Sequence, residues 1–235
     1  MSERRSQHLV NRVQLVTETV DDDICLSKEE VSLHKGYRAL KRLSDIILSA
    51  AGLLVISPIL LIVAIAIKVE DPASPVFFSQ MRVGTGGKLF RMYKFRSMAT
   101  DAEARLEALI AKNEVEGAMF KMKDDPRVTK VGKIIRKISV DELPQLWNVL
   151  NGSMSLVSPR PCLPREYEQD TDYDKQRLLV KPGCTGLWQV SGRNHVGFVD
   201  MVKLDIYYIQ HRSLFGDLKI MFRTVGVMIF PNAAY

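Results

Sequence analysis

The apolar and polar positions of this chain fall into stretches of different rhythm. Residues 1–32 are mostly polar, and Asp21-Asp22-Asp23 breaks any helical periodicity there, so residues 1–34 read as a flexible acidic N-terminal extension. From Ile46 to Ile67 the run IILSAAGLLVISPILLIVAIAI holds 22 residues without a charge, close to the roughly 20 that cross a bilayer as a helix. A buried core helix is the competing explanation, but a segment apolar on every face is hard to enclose in a protein of this size. Val76 to Val83 and Leu89 to Met98 have strand character and flank the turn Gly84-Thr85-Gly86-Gly87, which predicts a β-hairpin. That glycine turn is not a phosphate loop, because the GxxxxGK[ST] spacing is absent.

Beyond the hairpin the rhythm becomes helical. Asp101 to Phe120 place Leu106, Leu109, Ile110, Val115 and Met119 at amphipathic spacing. After the turn Asp124-Asp125-Pro126-Arg127-Val128-Thr129, the bases Lys130, Lys133, Arg136 and Lys137 alternate with Val131, Ile134 and Ile135, a short helix suited to an acidic surface. Another helix opens near Asp141, with Leu143, Leu146, Trp147 and Leu150 on one face and Pro144 tolerated near its start. Val199 to Tyr208 and Leu214 to Phe230 are apolar with few bases, a pattern that suits helices in a membrane interface and core helices alike.

The apolar segment is interrupted by Ser57-Pro58, where proline removes one backbone hydrogen bond and crowds the preceding turn, so a bend is expected. Lys35, Arg38, Lys41 and Arg42 precede it, and Lys68, Arg82, Lys88, Arg91, Lys94 and Arg96 follow it, so both flanks ask for the cytoplasmic side. Two arms of about 12 residues rise about 18 Å each, enough to enter one leaflet and too little to cross roughly 30 Å of hydrocarbon. The expectation is a re-entrant helical hairpin over residues 35–70, followed by a cytoplasmic domain over residues 71–235. A kinked spanning helix with its N-terminus outside is the alternative. The fold class is α+β: the membrane hairpin, then a small, mostly helical catalytic domain with a β-hairpin and interfacial amphipathic helices.

Charge sharpens this picture. The chain carries 33 Lys and Arg against 27 Asp and Glu, yet residues 35–235 hold 29 bases and 20 acids, so the body is basic and the extension acidic. A basic body suits nucleic acid, acidic headgroups or a phosphorylated substrate. The bases are scattered and no nucleic-acid module is present, which argues against nucleic acid. Cys25, Cys162 and Cys184 are too few and too far apart for a disulfide framework or a zinc knuckle, and His8, His34, His195 and His211 form no ligand cluster. No secretory signal pattern is expected in the first 30 residues.

Asp141 and Glu142 allow two readings. They fit as cap and dipole neutraliser of a helix start; a helix N-terminus also keeps a carboxylate ionised and receives phosphate oxygens, which suits an aspartate that attacks phosphorus. Three loops follow: Ser158-Pro159-Arg160-Pro161, Lys181-Pro182-Gly183-Cys184-Thr185-Gly186, and Ser191-Gly192-Arg193-Asn194. Arg160, between two prolines, is restrained enough to grip a phosphate. Exposed surface loops explain them as well.

The order of these blocks resembles the bacterial sugar transferases, the monotopic polyprenyl-phosphate phosphoglycosyl transferases. The resemblance covers Lys35 to Tyr235. It rests on the Ser-Pro apolar segment, Pro75-Val76-Phe77-Phe78 with Gln80 and Arg82, Tyr93-Lys94-Phe95-Arg96-Ser97-Met98, Asp125-Pro126-Arg127 and Asp141-Glu142-Leu143-Pro144-Gln145. It continues through Ser158-Pro159-Arg160-Pro161, Lys181-Pro182-Gly183 with Thr185-Gly186-Leu187-Trp188-Gln189, and Ser191-Gly192-Arg193-Asn194. Ser158 departs from the family, in which glycine is common there. Single-domain members that start exopolysaccharide repeats, including galactose-1-phosphate transferases, look closest. Larger relatives carry a multi-pass membrane region before the hairpin.

The resemblance implies that Asp141 and Glu142 are the catalytic pair. Asp141 would attack the β-phosphorus of a UDP-sugar, and undecaprenyl phosphate would collect the sugar phosphate. Glu142, with Asp141, would hold Mg²⁺. Lys94, Arg96, Arg127, Arg160 and Arg193 become candidate phosphate-binding residues; Lys94 and Arg96 share a strand face at spacing two. Ser57 and Pro58 become the membrane kink, and the cytoplasmic face of the inner membrane the location. Downstream glycosyltransferases are implied as partners, and a dimer stays open. No residue selects galactose over glucose or an N-acetylated sugar. A non-enzymatic membrane adaptor and a phospho-aspartate hydrolase are the rival functions.

Overall fold

The computed structural model describes residues 17, 25–33, 35–106, 108–109, 122, 124–191 and 196–229. Structure begins earlier than polar composition suggests. Helix α1 (Lys28–Leu33) is closed by a reciprocal cap, in which Ser27 N donates to Glu30 Oε2 at 3.0 Å and Glu30 N to Ser27 Oγ at 3.1 Å. Leu26 and Val31 pack onto buried residues of the domain, and Leu26 N donates to Gln176 Oε1 at 2.6 Å. Residues 25–33, expected to be flexible, therefore join the core, because two apolar side chains and one cap outweigh a polar average.

Helix α2 (Lys35–Glu70) runs 36 residues with Pro58 inside it. The two arms expected from the sequence form one uninterrupted helix, and the reason is local. Pro58 has no N–H for the Leu54 carbonyl four residues back, and Ser57 Oγ donates to that oxygen instead at 2.8 Å. A continuous helix with such a substitution is free to bend. One stripe of α2 meets the domain through Asp45, Ser49, Val63 and Ile67, while Leu54 and Val55 are about three-quarters exposed at 77% and 75%. Apolar exposure of that extent marks a surface that meets lipid or another protein.

The expected hairpin is present as β1 (Phe77–Val83) and β2 (Leu89–Phe95), antiparallel, with Phe78 opposite Lys94 and Gln80 opposite Met92. Of the amphipathic helix expected over residues 101–120, most lies outside the described residues, and 101–106 form turns. The basic stretch forms α3 (Lys130–Lys137), capped by Thr129, whose side chain accepts from Gly132 N. Next comes a 3-10 turn, Val140–Glu142, then α4 (Gln145–Asn151).

β3 (Ser155–Val157) and β4 (Gly183–Thr185) form a two-stranded parallel pair, too short to be legible as strands. Between them lie α5 (Pro164–Gln169), α6 (Asp172–Lys175) and a 3-10 turn, Gln176–Leu179. The chain ends with α7 (Leu187–Ser191), α8 (Phe198–His211) and α9 (Leu214–Ile229). Of the two C-terminal apolar stretches, α8 is core, with Met201, Val202, Leu204, Ile206, Tyr208 and Ile209 all buried. α9 instead turns Phe215, Leu218, Phe222 and Val225 outward.

Both ends of α2 are fastened to this one body. At the start, Lys41 Nζ reaches Asp217 Oδ2 at 2.7 Å, Arg42 donates to the Val149 and Leu150 carbonyls, and Asp45 accepts from Ser155 Oγ and Leu156 N. At the end, Glu70 accepts from Lys130 N and Val131 N, at the N-terminus of α3. Val63 and Ile67 pack with Phe95 and Ile135.

Candidate active site

The helix expected to open at Asp141 opens four residues later. Pro144 cannot donate to Val140 O, so the chain closes three-residue turns instead: Glu142 N to Ser139 O at 3.3 Å and Leu143 N to Val140 O at 3.2 Å. Asp141 is accordingly no N-cap of α4; Pro144 holds that position. Ser139 enters the turn at φ 56°, ψ 22°, where it alone among the described non-glycine residues has positive φ. Backbone of this kind persists only where the surroundings impose it.

The turn sits against the end of the hairpin. Lys94 Nζ meets Glu142 Oε1 at 2.6 Å, with both side chains partly open to solvent. Asp141 is buried. Burial first, and the Glu142 charge second, push its carboxyl up to about 6, against the pull of Lys94 and Arg136. At neutral pH it is mostly ionised yet poorly solvated, the condition of a reactive nucleophile.

Arg96 lies just past β2 on the same face as Lys94. Its Nε donates to Pro75 O at 3.0 Å and its guanidinium lies 5.7 Å from the centre of the Phe78 ring, and Phe78 is the residue opposite Lys94. Arg160 follows β3 and is held by close backbone approach. Ser158 N donates to Thr185 O at 2.9 Å and Gly183 N to Pro159 O at 2.7 Å, and a Cβ at Gly183 would fall 2.3 Å from Ser158 N. Only glycine fits there. Arg82 feels the charges of both Arg160 and Glu142. The buried Arg82 guanidinium is lowered to about 10 by desolvation and by Arg160, with Glu166 and Glu142 opposing.

Arg127 has a different setting. It is buried, its fork is closed on Asp125, and it also donates to Ala102 O, so its charge is already matched. Arg193 lies outside the described residues. Three charged residues near these were not among the site residues expected from the sequence. Arg82 was named as a base flanking the apolar segment and within a motif of the resemblance, Arg136 as one base of a short helix, and Asp205 not at all. Asp205 is fully buried on α8, both its oxygens lack a hydrogen-bond partner, and burial raises it to about 7 against Arg177 and Arg160. A lone acid among apolar residues at core spacing was the available signal.

Among the described residues no group of three His, Cys, Asp or Glu side chains could hold a metal. Asp141 and Glu142 nevertheless fit Mg²⁺ as hard oxygen donors, since that ion commonly takes one or two carboxylates and completes its shell with substrate phosphates and water.

The fold thus fastens an apolar, outward-facing helix at both ends to a domain in which Asp141 and Glu142 lie among several cations. The chain belongs to the bacterial sugar transferase family, whose model matches residues 36–231. It is 48% identical over 197 residues to the galactosyl transferase CpsE of Streptococcus agalactiae, covering 83% of this chain and 43% of that protein. It is 45% identical over 205 residues to the undecaprenyl-phosphate galactose phosphotransferase of Salmonella typhimurium, covering 86% and 43%. With the exopolysaccharide production protein ExoY of Rhizobium meliloti it shares 40% identity over 199 residues, 83% of this chain and 88% of that one. The chain thus spans less than half the length of the first two relatives and most of the third.

Proposed function

We propose that this protein transfers a sugar 1-phosphate from a UDP-sugar to undecaprenyl phosphate at the cytoplasmic face of the inner membrane, as the first lipid-linked step of a surface polysaccharide. The observation that carries this reading is the buried Asp141 beside Glu142, with Lys94 on Glu142 and Arg136 in its field. The relatives' names, a galactose phosphotransferase on undecaprenyl phosphate among them, support the same class.

In this mechanism an Asp141 oxygen forms a bond to the β-phosphorus of the donor, and the bond from that phosphorus to the bridging oxygen breaks. UMP leaves with that oxygen and its electron pair. A phosphate oxygen of the lipid then attacks the same phosphorus, forming the diphosphate and returning Asp141 as a carboxylate. Each step brings an anion to an anion, so fixed positive charge must offset the repulsion. Lys94, Arg160 and Arg96 are the first candidates, with Arg82 and Arg136 added by the geometry. Arg193 and Arg127 stay on the proposal, Arg127 in a supporting place because Asp125 fills its fork. Mg²⁺ held by Glu142 and Asp141 would neutralise diphosphate charge.

The anchor is re-entrant in this reading. Hydrogen bonds from one domain to both Arg42 and Glu70 are hard to reconcile with a helix whose ends lie on opposite sides of a membrane. The outward apolar face of α9, with Lys219 and Arg223 along it, would rest in the interface.

The decisive experiment measures Mg²⁺-dependent UMP release from a panel of UDP-sugars by the full chain in detergent, with and without undecaprenyl phosphate, for wild type and Asp141→Asn. Acceptor-stimulated release that vanishes in the variant is expected, together with a sugar phosphate on Asp141 detectable by mass spectrometry when the acceptor is withheld. Release without acceptor dependence would make the protein a hydrolase, and no release from any donor would leave the adaptor role.

A further inference from the structure

A second concentration of positive charge lies at the far end of α4. Arg42 donates to the Val149 carbonyl at 2.6 Å and the Leu150 carbonyl at 2.8 Å, closing the last turn of that helix. Gly152 follows at φ 89°, a left-handed conformation that glycine adopts freely. A Cβ there would lie 3.2 Å from the Arg42 guanidinium and 3.6 Å from Lys181 Nζ. The two cations therefore face each other across a space that one methyl group would fill.

Arg38, one turn before Arg42 on α2, adds its charge to the group. Burial, Arg42 and Arg38 hold the Lys181 ammonium below the usual lysine range, and only Asp45 opposes them. Asp45 is already engaged, one oxygen on Ser155 Oγ at 2.8 Å and the other on Leu156 N at 3.1 Å. The negative end of α4 accounts for Arg42. It does not account for Arg38 and Lys181, which make no hydrogen bond or ion pair among the described residues.

Position selects the ligand. Arg38 and Arg42 precede Ile46 by one or two turns, which is headgroup depth when the apolar segment lies in a bilayer. Asp141 and Glu142 precede α4, whose seven residues span about 10 Å, so a phosphate over Gly152 is not the one transferred at Asp141. We propose that Arg38, Arg42 and Lys181 bind the phosphate of an anionic glycerophospholipid from the surrounding bilayer, seated over Gly152. This rests on the membrane attachment put forward above and not on the transfer chemistry. Basic pockets beside membrane helices take such headgroups by the same charge complementarity.

The test titrates the full chain, in neutral detergent, with dioctanoyl phosphatidylglycerol, dioctanoyl phosphatidylcholine and a short-chain polyprenyl phosphate, following tryptophan fluorescence and the thermal midpoint. Phosphatidylglycerol is expected to bind tighter than phosphatidylcholine and to weaken with added salt. Arg38→Gln and Lys181→Gln should each lower its affinity about fivefold, Lys181→Arg should retain it, and Asp141→Asn should leave it unchanged. Equal binding of the two phospholipids overturns the proposal, as does an unaltered affinity in Arg38→Gln, an exposed position where misfolding is not at issue. Binding of polyprenyl phosphate at these residues without competition from phosphatidylglycerol also overturns it and gives the site to the acceptor. Failure of UMP release with phosphatidylglycerol binding intact would sink the transferase reading alone.

Discussion

Two buried carboxylates, Asp217 and Asp141, show how differently this protein treats its scaffold and its proposed reaction centre. Asp217, on α9, accepts from Tyr37 and Lys41 on one oxygen and meets Tyr208 on the other at 2.7 Å. Tyr208 also lies 3.0 Å from the Val157 carbonyl, so Asp217 and Tyr208 together tie α2, α8, α9 and β3. Asp141 receives no such set of donors; its neighbours are a second carboxylate and two cations acting through space. A buried carboxylate that is fully paired holds a fold, whereas one left under-paired is a candidate for chemistry.

The largest break in this contrast is Asp141→Asn. Loss of the proposed nucleophile should lower transfer about 10³-fold or more in the UMP assay, while stability moves the other way. A carboxyl raised from its ordinary 3.8 to about 6 stabilises the folded state only while protonated. That contribution is complete below about pH 4 and lost as pH rises through 6. At pH 7 the ionised group costs up to about 3 kcal/mol, so the neutral asparagine should unfold at a higher temperature than wild type, with the gap closing towards pH 4. An unchanged or lower midpoint at pH 7 would show that Asp141 is as well solvated as a surface acid.

Asp217→Ala should do the reverse. Removing it leaves Lys41 and the Tyr37 hydroxyl without their acceptor and leaves Tyr208 only the Val157 carbonyl, at a cost of about 3 kcal/mol. Thermal unfolding in detergent reads this, and residual activity per folded molecule should stay far above that of Asp141→Asn. Equal loss of activity in folded protein would place Asp217 in the chemistry and erase the distinction.

A pH profile sharpens the contrast without mutation. With a carboxyl near 6 as nucleophile, kcat/KM for the UDP-sugar should fall roughly tenfold per pH unit below about pH 6 and level off above it. A profile flat down to pH 4.5 would mean that Asp141 titrates as an ordinary acid.

What the sequence disclosed follows the same division. Periodicity found the apolar segment, the hairpin and α3, because each is fixed by local pattern. The order of motifs pointed to Asp141, Glu142, Lys94 and Arg160, and the structure sets Lys94 on Glu142 beside Asp141. Relations that exist only through long-range packing were not legible. The three-residue strands β3 and β4 depend on Gly183 approaching Ser158, and Arg82 meets the Pro161 carbonyl only through the fold. Two local relations were missed as well, since Arg127 is matched to Asp125 two residues away and the Ser57 hydroxyl takes the Leu54 carbonyl that Pro58 leaves free; the docking of residues 25–33 rests on Leu26 and Val31.

The smallest expected effect tests whether strain at the turn serves the reaction. Ser139 holds a left-handed backbone that costs a non-glycine residue about 1 kcal/mol, and glycine removes this cost while adding freedom to the unfolded chain. Ser139→Gly should therefore change stability by less than about 1 kcal/mol and leave KM for the donor nearly unaltered. Ser139→Val, β-branched at the same φ, should cost about 2 kcal/mol and lower kcat as the turn swings Asp141 off its line to phosphorus. If valine lowered the thermal midpoint yet kept full kcat, the left-handed residue would matter to folding alone, and the aim of Asp141 would have to come from Lys94 and Glu142.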